Sequence, residues 1–187
     1  EQTYATAKAL RAGGVRFFRA SLWKPRTRPG SFEGVGREGL PWLRRIEDEL
    51  GMQVATEVAS ASHVEEALRA GLNTFWIGAR TTTSPFAVAE LAEALSGEDV
   101  TVLVKNPLNP DIELWEGALL RLKSAGVDRI AAIHRGFSTY GKGFYRNAPL
   151  WQIPIELRRR HPALTILVDP SHISGRRDLV PLVSRIG

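Results

Sequence analysis

Short β-branched and aromatic runs recur along the chain, at 15–21 (VRFFRAS), 52–58 (MQVATEV), 74–79 (TFWIGA), 101–106 (TVLVKN), 129–134 (RIAAIH) and 164–170 (LTILVDP). Between them, apolar residues recur at helical spacing over roughly 3–12, 39–50, 62–70, 85–96, 111–125, 150–160 and 176–186. The short runs are almost continuously apolar, which predicts strands covered on both faces and therefore a parallel sheet. Local chemistry marks the helix boundaries. Ser62 with Glu65 reads as a capping box, Ser84-Pro85 as a cap followed by a first-turn proline, and Asp111 as the cap of the next helix. Glycine closes helices at 11–15 (RAGGV), 50–53 (LGMQ), 69–72 (RAGL) and 124–127 (SAGV).

Six strands alternating with seven helices fit either a doubly wound sheet or a (β/α)₈ barrel. No GxGxxG follows the first strand, which lowers the dinucleotide-binding alternative. No linker or low-complexity tract divides the chain, so residues 1–187 are expected to form one α/β domain. As a barrel it is incomplete. The chain opens on a helix with no strand before it and stops at a helix with no eighth strand after it, leaving two raw sheet edges.

Composition narrows the function classes. Hydrophobic content of 43% and charged content of 24% are those of a globular protein long enough to bury a substantial core. No apolar stretch approaches the length of a membrane span. The absence of cysteine excludes a disulfide scaffold and thiolate metal sites, and fits the cytoplasm. A net charge of +5 invites a nucleic-acid reading. Yet Arg44-Arg45 and Arg158-Arg159-Arg160 sit in amphipathic segments beside glutamates, as solvated helix faces do. Neither nucleic acid nor membrane is an expected partner; the excess charge carries more meaning if it gathers in one cleft for small anions.

The carboxyl ends of parallel strands are where α/β sites form. Past the first strand come Lys24, Arg26, Thr27 and Arg28; past the second, Glu57; past the third, Arg80; past the fourth, Lys105 and Asn106. The fifth gives His134 and Arg135, the sixth Asp169, Ser171 and His172. A single cation after a strand is ordinarily a solvated loop residue. Four strands ending in cations predict a pocket, and like charges crowded in one cleft call for anions. Arginine forks and lysine point charges suit phosphate and carboxylate, so the ligand is expected to carry at least two anionic groups. His172 reads either as a metal ligand or as a structural residue, with Asp169 and Glu57 as the nearby candidates for further ligands and neither at a convincing spacing. His63 and His161 read as structural, and GRRD (175–178) as a helix start rather than a phosphate loop.

KPRTRPGSFEG, IGAR, VKNP, HRGFS and DPSH occur in this order, each at a strand end. Together, over nearly the whole chain, they resemble the 3-deoxy-D-arabino-heptulosonate 7-phosphate (DAHP) synthases, in their compact class I branch, some of whose members are fused to a chorismate mutase domain. KPRT is the most specific of these motifs. The resemblance implies a TIM (β/α)₈ barrel that condenses phosphoenolpyruvate with erythrose 4-phosphate in the first step of the shikimate pathway. It also implies a required divalent metal of the Mn, Fe, Co or Zn class and a homo-oligomer. Carried over to these positions, Arg80, Lys105 and Arg135 would hold phosphoenolpyruvate, mainly by its phosphate. Lys24 would reach its carboxylate near the reacting carbons. Arg26 and Thr27 would grip erythrose 4-phosphate, Glu57 would position water, and His172 would be one metal ligand. Lys24, Lys105 and Glu57 are thereby the candidate catalytic residues.

The chain departs from the family pattern at the metal. There the ion is held by a cysteine on the first barrel strand, the histidine of DPSH, and a glutamate and an aspartate following the seventh strand. Only His172 of these is present in this sequence. The chain is thus expected to be strands two to seven of a longer eight-stranded protein. The alternatives are the sister activity, 3-deoxy-octulosonate 8-phosphate synthase, which KPRT disfavours, and a catalytically silent barrel acting as a binding or regulatory module.

Overall fold

The computed structural model describes every residue except Pro25, Thr27, Pro29 and Lys142. The helices are α1 (Gln2–Ala12), α2 (Leu40–Leu50), α3 (Ala61–Arg69), α4 (Ala79–Thr82), α5 (Pro85–Ala94), α6 (Ile112–Ser124), α7 (Gln152–Arg160), α8 (Pro170–Ser174) and α9 (Val180–Ile186). The strands are β1 (Phe17–Arg19), β2 (Gln53–Val58), β3 (Thr74–Ile77), β4 (Thr101–Lys105), β5 (Arg129–His134) and β6 (Thr165–Val168). All six pair in parallel, in chain order, as the unbroken apolar runs predict. Two short helices, α4 and α8, begin directly after β3 and β6, and sequence periodicity is too brief to reveal either one.

The caps are mostly as expected, with one correction. Ser84 accepts from the Ala87 amide at 3.4 Å and Asp111 from Leu114 at 3.1 Å. The cap of α3 is Ser60, which accepts from the His63 amide, rather than Ser62. Ser62 sits one residue inside the helix and shares a hydrogen bond with Ser60, while Glu65 pairs with Arg69. Both serines stand at the start of the helical run, and only the extended backbone of Ser60 leaves its side chain free to turn back on the amides.

Alternation along the strands separates two apolar layers. Ala55, Trp76, Leu103, Ala131 and Ile133 meet on the concave side of the sheet. Val54, Phe75, Val102, Val104 and Ala132 face the helices in the main core. The sheet curls so far that Arg19, ending β1, lies 3.6 Å from Asp169, just past β6, although these strands are its two edges. The result is an open, partial barrel of the TIM type with all its strand ends converging on one mouth.

Trp115 of α6 shows how the helix layer braces that mouth. It is fully buried, and its indole N–H donates to the Val104 carbonyl at 3.1 Å, one residue before Lys105. Trp115→Ala is expected to cost about 3–5 kcal/mol of stability, and Trp115→Phe about 1 kcal/mol for the lost hydrogen bond. Denaturant unfolding at unchanged m-value measures both.

Candidate active site

A cavity of about 750 Å³ opens at the carboxyl ends of the strands. Its lining brings together Lys24, Arg26, Glu57, Arg80, Lys105, Arg135 and His172, every residue to which the family resemblance gives a role but one. Thr27 lies outside the described residues.

The KPRT segment is held at its root. The Lys24 amide donates to the Glu33 carbonyl at 2.7 Å, and Gly36 N–H to Leu22 at 2.9 Å, closing a loop whose antiparallel bridge pairs Trp23 with Gly34. Trp23 stacks on His63, ring centroids 4.4 Å apart. The His63 Nδ1 accepts from the Ala59 amide at 3.3 Å, which fixes the neutral tautomer, and burial lowers its pKa in the same sense. His63 is thus structural, as read from sequence, and its task is to anchor the strap that presents Lys24. Further out, Arg26 Nε donates to the Phe32 carbonyl at 2.8 Å, leaving its guanidinium at the cavity wall.

Glu57, near the end of β2, accepts from Ser21 Oγ at 2.9 Å. It stands over Gly78, where a Cβ would come within 2.1 Å of its Oε1. Any side chain at 78 would push the carboxylate away. Asp169 is the electrostatic centre of the floor. Its Oδ2 accepts from His172 Nδ1 at 2.8 Å and from Lys105 Nζ at 3.4 Å, with the Arg19 guanidinium at 3.6 Å. Burial alone would raise its pKa, yet the His172 hydrogen bond and the charges of His172, Lys105 and Arg19 hold it below the ordinary carboxylate range.

Lys105, only 7% exposed, also lies 5.7 Å from the centre of the Trp76 ring. Burial is the main force lowering its pKa; Arg19 adds to this and Asp169 opposes it. Crowding by arginine is therefore a secondary cause. Arg135, equally buried, donates its backbone N–H to Asn106 Oδ1 at 2.7 Å and Nη1 to Asn147 Oδ1 at 2.9 Å. Burial pushes its pKa down to about 10, with Arg146 and Arg80 adding to the shift and Asp169 opposing it, so it stays charged at neutral pH.

One expectation for the mouth fails. His134 does not face it. The inward side of β5 belongs to Ala131 and Ile133, so period two turns His134 outward, where it packs fully buried between Trp115, Phe137 and Trp151. GRRD opens a helical segment, as read from the sequence: Arg176 pairs with Asp178, Arg177–Leu179 form a 3₁₀ turn, and none of the four lines the cavity. Arg19, Trp76 and Arg146 are among the lining residues that went unread in the sequence. Arg19 and Trp76 lie inside strands, on the alternate positions that face the concave side, and Arg146 belongs to the irregular segment between β5 and α7.

The fit of a divalent metal can be tested on His172. In the neutral imidazole, a carboxylate that accepts from Nδ1 leaves Nε2 with the lone pair, the arrangement that orients a metal-bound histidine. Among the described residues no group of three or more His, Cys, Asp or Glu stands close enough to hold an ion. Among the described residues the mouth therefore offers His172 as a ligand and no full set.

The DAHP synthetase I family matches residues 1–185. The chain belongs to the DAHP synthetase I family. It is 33% identical over 185 residues to the phospho-2-dehydro-3-deoxyheptonate aldolase of Thermotoga maritima, a match covering 99% of this chain and 53% of that protein. The crystal structure of that organism's DAHP synthase superposes with a TM-score of 0.83 at 31% identity, over 97% of this chain and 51% of the other. A truncated form of the Thermotoga maritima enzyme superposes with a TM-score of 0.80 at 30% identity, over 98% and 64%. The chain thus spans about half the length of the curated relative it matches. No helix among the described residues is long and apolar enough to cross a membrane.

Proposed function

We propose that this chain forms strands two to seven of a DAHP synthase barrel and condenses phosphoenolpyruvate with erythrose 4-phosphate, releasing phosphate. The observation that carries the reading is the convergence of Lys24, Arg26, Arg80, Lys105 and Arg135 on one cavity, with Arg19, Arg28 and Arg146 beside them. So much positive charge in one concave site suits two phosphorylated substrates held side by side. Arg80, Lys105 and Arg135 hold the phosphate of phosphoenolpyruvate, Lys24 its carboxylate, and Arg26 with Thr27 the phosphate of erythrose 4-phosphate.

C3 of phosphoenolpyruvate attacks the aldehyde carbon, forming the new C–C bond while the aldehyde oxygen takes a proton. Lys105 is the suited donor, because its lowered pKa brings it closer to working pH. Water, held by Glu57, adds at C2 and gives up a proton. The C2–O bond to phosphate then breaks, the proton of the C2 hydroxyl leaves with the phosphate, and the keto acid remains. A divalent metal, which the family resemblance implies, supplies Lewis-acid polarisation when bound, and His172 is the ligand available here. With one ligand in hand, the steps above run through the protein's own residues.

The test is turnover of phosphoenolpyruvate with either erythrose 4-phosphate or arabinose 5-phosphate, following phosphate release, with and without added Mn²⁺. Release with the four-carbon sugar alone is expected. Preference for arabinose 5-phosphate would point to the octulosonate sister reaction. Tight phosphoenolpyruvate binding without turnover would point to a silent binding module.

A further inference from the structure

We propose that Asn147 is a positioning residue: it holds the Arg135 guanidinium in the mouth and ties it to the turn that carries His172. This rests on the reading of the mouth as a phosphate site. Asn147 is 5% exposed, on the arm that Phe137 and Ala148 close by an antiparallel bridge. Both ends of its amide are engaged. Oδ1 accepts from Arg135 Nη1 at 2.9 Å, and Nδ2 donates to the His172 carbonyl at 2.6 Å.

A guanidinium only donates and a carbonyl only accepts, so the amide has a single allowed orientation. A flip would set donor against donor and acceptor against acceptor. The backbone fixes the residue as well. Asn147 N–H donates to Ile173 at 3.2 Å and Arg146 N–H to Ser174 at 3.4 Å, which docks the arm on α8. Gly136, at φ +77°, permits the approach from the other side: a Cβ there would lie 2.8 Å from the Asn147 carbonyl oxygen.

The choice of an amide has a physical reason. Arg135 is buried close to Arg80 and Arg146, and its charge is useful only if it remains available to an incoming anion. A carboxylate at 147 would fix the guanidinium and also neutralise it. A neutral acceptor fixes it and leaves the charge for phosphate. Because the other end of the same amide grips His172, the arginine and the histidine are set at a fixed separation by one side chain.

The experiment titrates inorganic phosphate and, separately, pyruvate into the wild-type chain, Asn147→Leu and Asn147→Asp, by ligand-observed NMR. Asn147→Leu is expected to weaken phosphate binding about tenfold, as loss of an outer-shell partner does. Pyruvate, which lacks the phosphate, should bind as before, whereas a general structural lesion would weaken both. Asn147→Asp keeps the acceptor for Arg135 but competes with the anion, so it too should lose phosphate affinity. Wild-type phosphate affinity in either variant, or equal loss of pyruvate in Asn147→Leu, overturns the assignment. Should Asn147→Leu fail to fold, Asn147→Asp decides alone. A wild-type chain that binds no phosphate would overturn the anion reading itself, and this inference with it.

Discussion

Arg135→Met is expected to remove most of the thermal stabilisation that phosphoenolpyruvate gives the protein, at little cost to the ligand-free fold. At a ligand concentration of about one hundred times Kd, binding adds about 2.7 kcal/mol to the stability of the native state. Losing a buried, charge-assisted partner of the phosphate costs roughly 2–4 kcal/mol of binding. At the same ligand concentration the variant should then gain less than about 1 kcal/mol. Without ligand the balance differs. Arg135 is desolvated and repelled by Arg80 and Arg146, with Asp169 the opposing charge. Methionine keeps most of the stem's volume and removes the repulsion, while leaving Asn147 Oδ1 without its donor. These effects oppose each other. A thermal-shift titration with phosphoenolpyruvate reads both quantities, and a variant stabilised as much as the wild type would remove Arg135 from the anion site.

This trade-off between ligand-free stability and binding is written into the whole floor of the mouth. Lys105 and Arg135 are buried cations whose pKa values are lowered chiefly by burial, and Asp169 is the counter-charge common to both. A core built for stability alone would place apolar side chains there. On the proposed function, the charges serve binding and proton transfer.

Much of this floor was legible in the sequence, because parallel strands put their functional residues at their ends. Lys105, Arg135 and His172 were read from that rule alone, and the curl of the sheet brings them to one cavity. What escaped the rule did so for three reasons. Arg19 and His134 needed the strand's two-residue period rather than its end. Arg19 pairs in register with Ala55, an inward residue, and so faces the site, whereas His134 follows the inward Ile133 and so faces away. Ser60 and Ser62 are chemically alike, and only the backbone conformation chooses between them. Asn147 and Arg146 sit on an irregular arm without periodicity, and they reach the site through contacts with α8, more than twenty positions further along the chain. Contacts of that range leave no local trace in a single sequence.

The outward turn of His134 leads to the second large effect, a loss of stability in mild acid. The ring is wholly buried, and neither nitrogen makes a hydrogen bond. Burial lowers its pKa from 6.5 to about 4; the Pro149 backbone opposes the shift, and the Arg135 charge adds to it. In the unfolded chain the imidazole titrates near its ordinary value. Below pH 6.5 the unfolded state therefore takes up a proton that the folded state refuses. The neutral ring's contribution is fully present above that pH and drains away as the pH falls toward 4. The gap between 6.5 and about 4 corresponds to about 3 kcal/mol, at 1.36 kcal/mol per pH unit. The carboxylates with lowered values, such as Glu156 at about 2, act at lower pH, so the window belongs to the histidines: His134 chiefly, with His63, whose pKa burial also lowers, adding to it. In His134→Phe the aromatic cage of Trp115, Phe137 and Trp151 remains and the titrating group is gone. Urea unfolding from pH 7 to pH 4.5 should show stability falling steadily in the wild type and much less in the variant. Parallel curves would mean that the imidazole takes up its proton without opening the fold.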